Sequence, residues 1–221
     1  MFPRAIQQAS KPKQVASSLF LPIALFIWIL PLLAVFLTLV RGAKDINTGN
    51  VLGWPSEFKF VENYTAVFMQ TEAVKYFFNS FLITLPAVAI SIALACLAGY
   101  ALAIYRFRLA LPLFFLFVAG NFVPFQILMV PVRDMSVQTG LYNTIAGQFL
   151  FHAAFQTGFC TLFMRNFIKA LPFDLIESAR VEGVAEWRIF WYIIVPLVRP
   201  AIAALAVLIF TFVWNDFFWA N

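Results

Sequence analysis

The sequence predicts an all-α fold, a polytopic integral membrane helix bundle, and three observations predict it. The 221 residues are 63% hydrophobic and 18% aromatic with only 11% charged, and the mean hydropathy is +0.89. That is more apolar surface than a water-soluble globule of this size could bury. Uncharged runs recur along the chain, each approaching the roughly 20 apolar residues that cross a hydrocarbon core of about 30 Å. These runs are apolar on every face, so the alternation of an outer-membrane barrel is absent. Lipid cannot satisfy backbone polar groups, which makes the runs helices.

Residues 1–18, polar and basic with Arg4, Lys11 and Lys13, read as a tail ahead of a first transmembrane helix at 19–40. That run is too long for a signal-peptide core and lacks a small-residue cleavage site, so it is expected to be retained. A polar loop follows at 41–76, ending in the amphipathic piece FVENYTAVF with an Asn63-Tyr64-Thr65 triplet of a kind that chance often supplies. The remainder, 77–221, opens with a helix at about 77–104, where Asn79 and Ser80 are expected to act as caps. After the basic turn Tyr105–Arg108 comes a helix at about 109–132, which Pro112, Pro124 and Pro131 should kink or break. Arg133 and Asp134 open a short loop, a fourth helix spans about 144–164, a charged segment covers 165–199, and a fifth helix runs from about Pro200 towards Trp219.

Lysine and arginine set the expected orientation. With the N-terminus inside, ten of the 15 fall on cytoplasmic flanks, Arg106, Arg108, Arg165 and Lys169 among them, and five outside. The loop at 41–76 is then extracytoplasmic and the charged segment cytoplasmic. Cys96 and Cys160 sit inside apolar runs with no metal-site or redox spacing, and read as small buried hydrophobes. No nucleic-acid-binding motif appears, and the net charge of +5 does not imply that partner in a membrane protein.

Within the charged segment, Pro172 suits a first helical turn and Asp174 the positive end of a helix. Leu175, Ile176 and Ala179 form a small apolar stripe, while Asp174, Glu177 and Arg180 share another face. Gly183 falls where a left-handed helix stop is expected, and a second helix starts near Ala185 and continues to Pro196. Two short helices meeting at a glycine make a compact knob. Ser178, Ala179 and Gly183 are small enough for it to enter a partner's groove, with Glu177 and Arg180 able to pair at its rim. The plainer reading is an interfacial connector, although a bare connector could be far shorter.

With Glu177, Ala179, Gly183 and Pro196 at the family's spacing, ESARVEG…P resembles the "EAA" loop of ABC importer permeases. Pro55, Phe60-Val61-Glu62-Asn63-Tyr64, Asn79-Ser80, Gly99-Tyr100-Ala101-Leu102-Ala103, Leu141-Tyr142-Asn143-Thr144 and Trp214-Asn215-Asp216-Phe217 make it similar to the carbohydrate, maltose-system branch. Departures are Ser178 for an alanine, Glu182 for an aspartate and Val184 for a small residue. The resemblance implies the type I importer permease fold. It also implies a coupling loop in which Glu177, Ser178, Ala179, Arg180, Glu182, Gly183 and Pro196 meet a cytoplasmic ATPase subunit, Glu177 as the charged anchor. The partners it implies are a second permease subunit, two ATPase subunits that carry the ATP, and an extracytoplasmic solute-binding protein, in a bacterial or archaeal cytoplasmic membrane. Complete permeases of this family have six spans against the five here, so a chain truncated before a sixth is expected.

For a substrate pathway, Asp216 is the first candidate, since a charge inside a membrane is expensive; with Trp214 and Asn215 it could bind sugar hydroxyls and stack on a ring, or it could lie at the outer water interface. His152, with Gln148 and Gln156 at i±4, either lines the pathway or makes interhelical hydrogen bonds. The same choice applies to Asn121 and Gln126. One histidine, no GxSxG, no HExxH and no P-loop leave neither a hydrolase nor an ATPase, hence no catalytic residue, metal or cofactor in this chain. The expected function is a permease subunit of an ATP-driven importer for a sugar, polyol or glycerol phosphate. Alternatives are an ABC permease for a non-sugar solute, or an ion-driven carrier, which would need paired intramembrane carboxylates where only Asp216 qualifies.

Overall fold

The computed structural model describes residues 11–50, 53–216 and 219, and side chains from 18 onward except that of 125. Arg4 and Phe217 lie outside these residues. Among the described residues all regular structure is helical, apart from an isolated antiparallel bridge between Arg41 and Phe58. The chain falls into two compact units that divide between Val74 and Lys75.

The first unit holds α1 (Lys11–Val40), α2 (Ala43–Asn47) and α3 (Phe60–Gln70). α1 begins at Lys11 rather than Leu19 and passes Pro22 and Pro31 without a break, which apolar helices tolerate. Its end is tied by Arg41, buried, whose Nε donates to the Leu37 carbonyl at 2.9 Å and Nη2 to that of Gly53 at 3.1 Å. The Asn63 amide donates to the Leu39 and Arg41 carbonyls at 2.9 and 3.0 Å, so this asparagine braces the loop against α1. Asp45 accepts the Ser56 N–H and hydroxyl, both at 2.8 Å. The backbone N–H and then the hydroxyl of Ser56 hold its carboxyl below the usual carboxylate range.

The second unit runs α4 (Ala73–Ile104), α5 (Ala110–Gly120), a 3-10 turn at Phe125–Leu128, α6 (Met129–Gln138), α7 (Ile145–Lys169) and α8 (Asp174–Val181). Then α9 (Glu186–Arg188) continues through a π-helical stretch, Ile189–Ile194, into α10 (Val195–Leu197), and α11 (Arg199–Trp214) follows. Several boundaries differ from expectation for local reasons. Asn79 and Ser80 lie inside α4, not at its cap; the Thr71 hydroxyl accepts the Ala73 N–H at 3.2 Å, and Ser80 bonds back to the Tyr76 carbonyl. The proline-rich third helix does break, after Gly120, but only Pro124 stands at the break. Pro112 and Pro131 sit in the first turns of α5 and α6, where a missing N–H costs nothing. Arg133 and Asp134 are therefore helical, within α6, instead of opening a loop. α7 starts as expected, with the Thr144 hydroxyl accepting the Gly147 N–H at 3.0 Å, yet it continues to Lys169. α11 stops at Trp214, short of Trp219.

Two described helices, Ser18–Val40 and Ala73–Ile104, are long and apolar enough to cross a membrane; a third joins them if Glu186–Leu197 and α11, bent by 70°, count as one span. Five were expected. α5 has 11 residues. α7, at 25 residues, is about 37 Å long, and it owes its lower apolarity to Gln148, His152 and Gln156, of which the last two are buried in the bundle. A helix that turns its polar groups inward stays compatible with lipid on its outer face.

α4 and α7 cross closely at Gly99. A Cβ there would stand 3.0 Å from the Arg165 nitrogen and from Met164 Cβ, so the glycine permits the approach. Further along, the buried Ser91 hydroxyl donates to Ala87 of its own helix at 2.6 Å and to Ala153 of α7 at 3.3 Å. The apolar core continues without a gap through Tyr100, Met164, Ile168, Ile176, Ile189, Ile194, Leu205 and Ile209, so α4, α7, α8 and α11 share it.

Candidate functional site

The knob expected from the sequence is present. α8 buries Ile176 and Ala179 against the π-helical stretch, while Leu175, the third member of the expected stripe, is 47% exposed. Gly183 adopts φ +74°, and the turn is closed by two bonds, Gly183 N–H to Arg180 and Val184 N–H to Ala179, both 3.0 Å. That is the glycine-terminated stop in which the residue after the glycine reaches back five positions. Val184 packs against the core, which accounts for an apolar side chain where a small one was expected. Ala179 is likewise spent on the interior, while Asp174, Leu175, Glu177, Ser178, Val181 and Glu182 are exposed, Val181 at 89%.

Arg180 turns to Glu186 rather than to Glu177. Its Nε lies 2.6 Å from Glu186 Oε1, and the other carboxylate oxygen accepts the hydroxyls of Tyr100 and Tyr105, each at 2.8 Å. The Arg180 guanidinium also sits over the Tyr105 ring, 5.9 Å from its centroid. One carboxylate thus joins α8, the start of α9, the last turn of α4 and the turn after it. Sequence reasoning missed Glu186 and both tyrosines as site residues. The tyrosines stand 86 and 81 residues from Glu186 along the chain.

Pro196 lies in the first turn of α10. It has no N–H to give and its ring crowds the carbonyl four residues back; the π-helical turn just ahead of it is a wider register of the kind that appears at such points. Val198, fully buried, marks the 70° bend into α11.

The second group of candidates separates into two. His152 Nε2 is 3.2 Å from Asp216 Oδ2, with Gln148 Nε2 3.4 Å from the ring nitrogen and 3.5 Å from the carboxylate. The backbone N–H of Trp219 donates to Asp216 Oδ2 at 3.2 Å. Phe151, Phe155, Phe212 and Trp219 wall the pair, with Phe151 and Trp219 rings 3.9 Å apart. α7 and the end of α11 are clamped there. Gln156, one turn further along α7, is buried with its amide nitrogen unpaired. Trp214 instead packs edge-on against Phe77 and Phe81 at 5.5 and 4.9 Å, and the Asn215 amide folds back onto Thr211 at 2.8 Å. Asn121 caps α5 through the Phe117 carbonyl at 2.7 Å and faces Gly158 of α7, while Gln126 is exposed on the 3-10 turn. These seven residues therefore do not converge on one cavity. Among the described residues no cluster of His, Cys, Asp and Glu could hold a metal ion.

Residues 64–221 match the family model described as "Binding-protein-dependent transport system inner membrane component". The chain is similar to the osmoprotective compounds uptake permease protein GgtD of Synechocystis sp., 40% identical over 86% of this chain and 66% of that protein. It is also similar to the diacetylchitobiose uptake system permease protein NgcG of Streptomyces coelicolor, 30% identical over 86% of this chain and 62% of that one. A third relative is the lactose transport system permease protein LacG of Rhizobium radiobacter, 31% identical over 90% and 71%. The chain spans about two thirds of the length of these relatives. Among solved structures, a bacterial ABC transporter involved in the import of the acidic polysaccharide alginate superposes with a TM-score of 0.81 at 22% identity, covering 99% of this chain and 76% of that one. That likeness is one of fold.

Proposed function

Because the chain belongs to the family of binding-protein-dependent transport system inner membrane components, we propose that it is a permease subunit of an ATP-driven ABC importer, and that residues 165–199 transmit the ATPase stroke to the membrane helices. The observation that carries this reading is the Glu186 junction. A push on the exposed face of α8 has a stiff route through Arg180 and Glu186 to Tyr100 on α4, because hydrogen bonds to a charged acceptor are short and directional. A loosely solvated connector would have no use for such a route.

The docking face is Glu177, Ser178, Val181 and Glu182, with Gly183 setting its shape and Glu177 the anchor. It faces the cytoplasm, with the N-terminus on the same side and the loop at 41–76 outside. The chain acts in a cytoplasmic membrane with a second permease subunit, two ATPase subunits that bind and hydrolyse the ATP, and an extracytoplasmic solute-binding protein. Closure of the ATPase pair would rotate the helices between inward-facing and outward-facing states as rigid bodies. The solute is a sugar or a small hydroxylated compound of that kind, a reading supported by the names of the lactose and diacetylchitobiose relatives. This chain itself catalyses nothing.

The test is co-purification in mild detergent followed by uptake in proteoliposomes. A P-loop ATPase is expected in the complex, cross-linkable to a cysteine introduced at Val181, and labelled disaccharide should enter only with ATP inside. Uptake that persists without ATP, with no ATPase recovered, would overturn the proposal.

A further inference from the structure

A groove of about 650 Å³ opens where the end of α4, the start of α5 and the end of α7 meet. Four cations line it, Arg106, Arg108, Arg165 and Lys169, together with Leu111 and Phe173, and among the described residues no carboxylate lines it. Arg165 is fixed at its wall: its Nε donates to the Leu102 carbonyl at 3.3 Å and its guanidinium lies 3.8 Å over the Phe114 ring. Arg106, Arg108 and Lys169 are exposed. A concavity with this charge and no acid to balance it attracts an anion.

The surroundings say which anion. Leu111 and Phe115 lie one turn apart on the same side of α5, 59% and 57% exposed, so an apolar track leads away from the basic groove. A ligand that satisfies both has a phosphate head and a hydrocarbon tail. We infer that this groove binds the headgroup of an anionic phospholipid, with an acyl chain laid along α5. Basic pockets between helices at a membrane face are suited to such headgroups. Phe173, immediately before α8, forms part of the wall, so an occupied groove would steady the root of the coupling loop.

The test uses the full chain purified in mild detergent with whatever subunits accompany it, and native mass spectrometry after adding phosphatidylglycerol, phosphatidylcholine or inorganic phosphate. The chain is expected to retain phosphatidylglycerol over phosphatidylcholine. At about fivefold per exposed cation, Lys169→Gln should lower retention about fivefold and Arg106→Gln with Arg108→Gln about 25-fold. Arg133→Gln, on α6 outside the groove, should leave it unchanged. Equal retention by all variants overturns the site, and so does an equal loss in Arg133→Gln, which would mean diffuse attraction. Displacement of the lipid by inorganic phosphate at comparable concentration would make the ligand a free anion instead. Variants that shed a protein subunit while keeping the lipid would make the groove a subunit contact. None of these readouts depends on transport, so the outcome is separate from that of the proposed function.

Discussion

Arg180 and Glu186 meet across the Gly183 turn with 2.6 Å between Nε and Oε1, and the carboxylate's second oxygen is shared by two tyrosine hydroxyls from α4 and its following turn. Both ionic side chains are about a third or more exposed, so screening limits their pairwise energy to roughly 0.5–1 kcal/mol. On the proposed function, the junction's effect falls on transport more than on stability. Glu186→Ala is expected to leave membrane insertion and the melting temperature nearly unchanged while lowering ATP-driven uptake at least about tenfold. ATPase activity in the assembled complex, measured beside uptake, should lose its dependence on loaded binding protein. Uptake at the original rate in Glu186→Ala would remove the junction from the transmission path.

Gly183 sits at φ +74° with open space around the position where a Cβ would be. Substitution there meets no neighbour, so the cost is one of backbone alone, about 1 kcal/mol for alanine in the left-handed region. Gly183→Asn should transport almost normally and Gly183→Ala somewhat less. Gly183→Pro cannot adopt the turn and also loses the N–H that bonds to Arg180; uptake is expected to vanish although the protein still inserts. Cysteine accessibility on the flanking loops checks insertion, and labelled-solute uptake checks the rest.

Much of the knob was legible because its signals are local. A lone glycine after an amphipathic turn marks a stop, and Gly183 is the stop; a threonine ahead of an apolar run marks a cap, and Thr144 caps α7. What the sequence could not show is partnership at a distance. Nothing in the spacing of Tyr100, Tyr105 and Glu186 says that they meet, and neither the polar face of His152 with Gln148 and Gln156 nor the run Trp214-Asn215-Asp216 says that His152 pairs with Asp216, 64 residues on. The prolines misled for a related reason. Their effect depends on whether they fall in a first turn or an interior one, and helix starts are set by packing that a linear reading does not contain.

Gly99 makes a direct claim on the α4–α7 crossing. With backbone and Met164 Cβ both 3.0 Å from the added carbon, neither neighbour is a flexible tip that could swing away. Gly99→Ala should lower stability by about 1–3 kcal/mol, and Gly99→Val more, read as a drop in melting temperature of the detergent-solubilised complex. Ala101→Val, two residues on and so on the opposite side of α4, half-buried, is the control expected to change little.

His152, buried, and Asp216, whose side chain is 10% exposed, clamp α7 to the end of α11. Removing either partner takes away a contact between α7 and the end of α11 in a pocket walled by Phe151, Phe155, Phe212 and Trp219, which costs about 1–3 kcal/mol for a buried hydrogen-bonded group. His152→Ala and Asp216→Asn are each expected to lower the melting temperature, and the double variant to fall by less than their sum. The apparent KM for the imported solute should stay the same in whatever fraction remains folded. A changed KM with an unchanged melting temperature would place the pair in the solute pathway instead.

Asp45 offers a pH dependence with a definite sign. Its carboxyl titrates below the ordinary value because the Ser56 N–H and hydroxyl both stabilise the ionised form. A group whose folded value is depressed contributes stability that is present above its unfolded value, near 4 for an aspartate as a rough guide, and lost as pH falls through the folded value. The loop between α1 and α3 should therefore hold its structure at neutral pH and loosen only in acid, and Asp45→Asn should abolish that acid transition while weakening the loop at pH 7. Limited proteolysis of the loop across a pH series, in both forms, measures this. Identical proteolysis profiles for the two would show that the Ser56 contacts do not hold the loop.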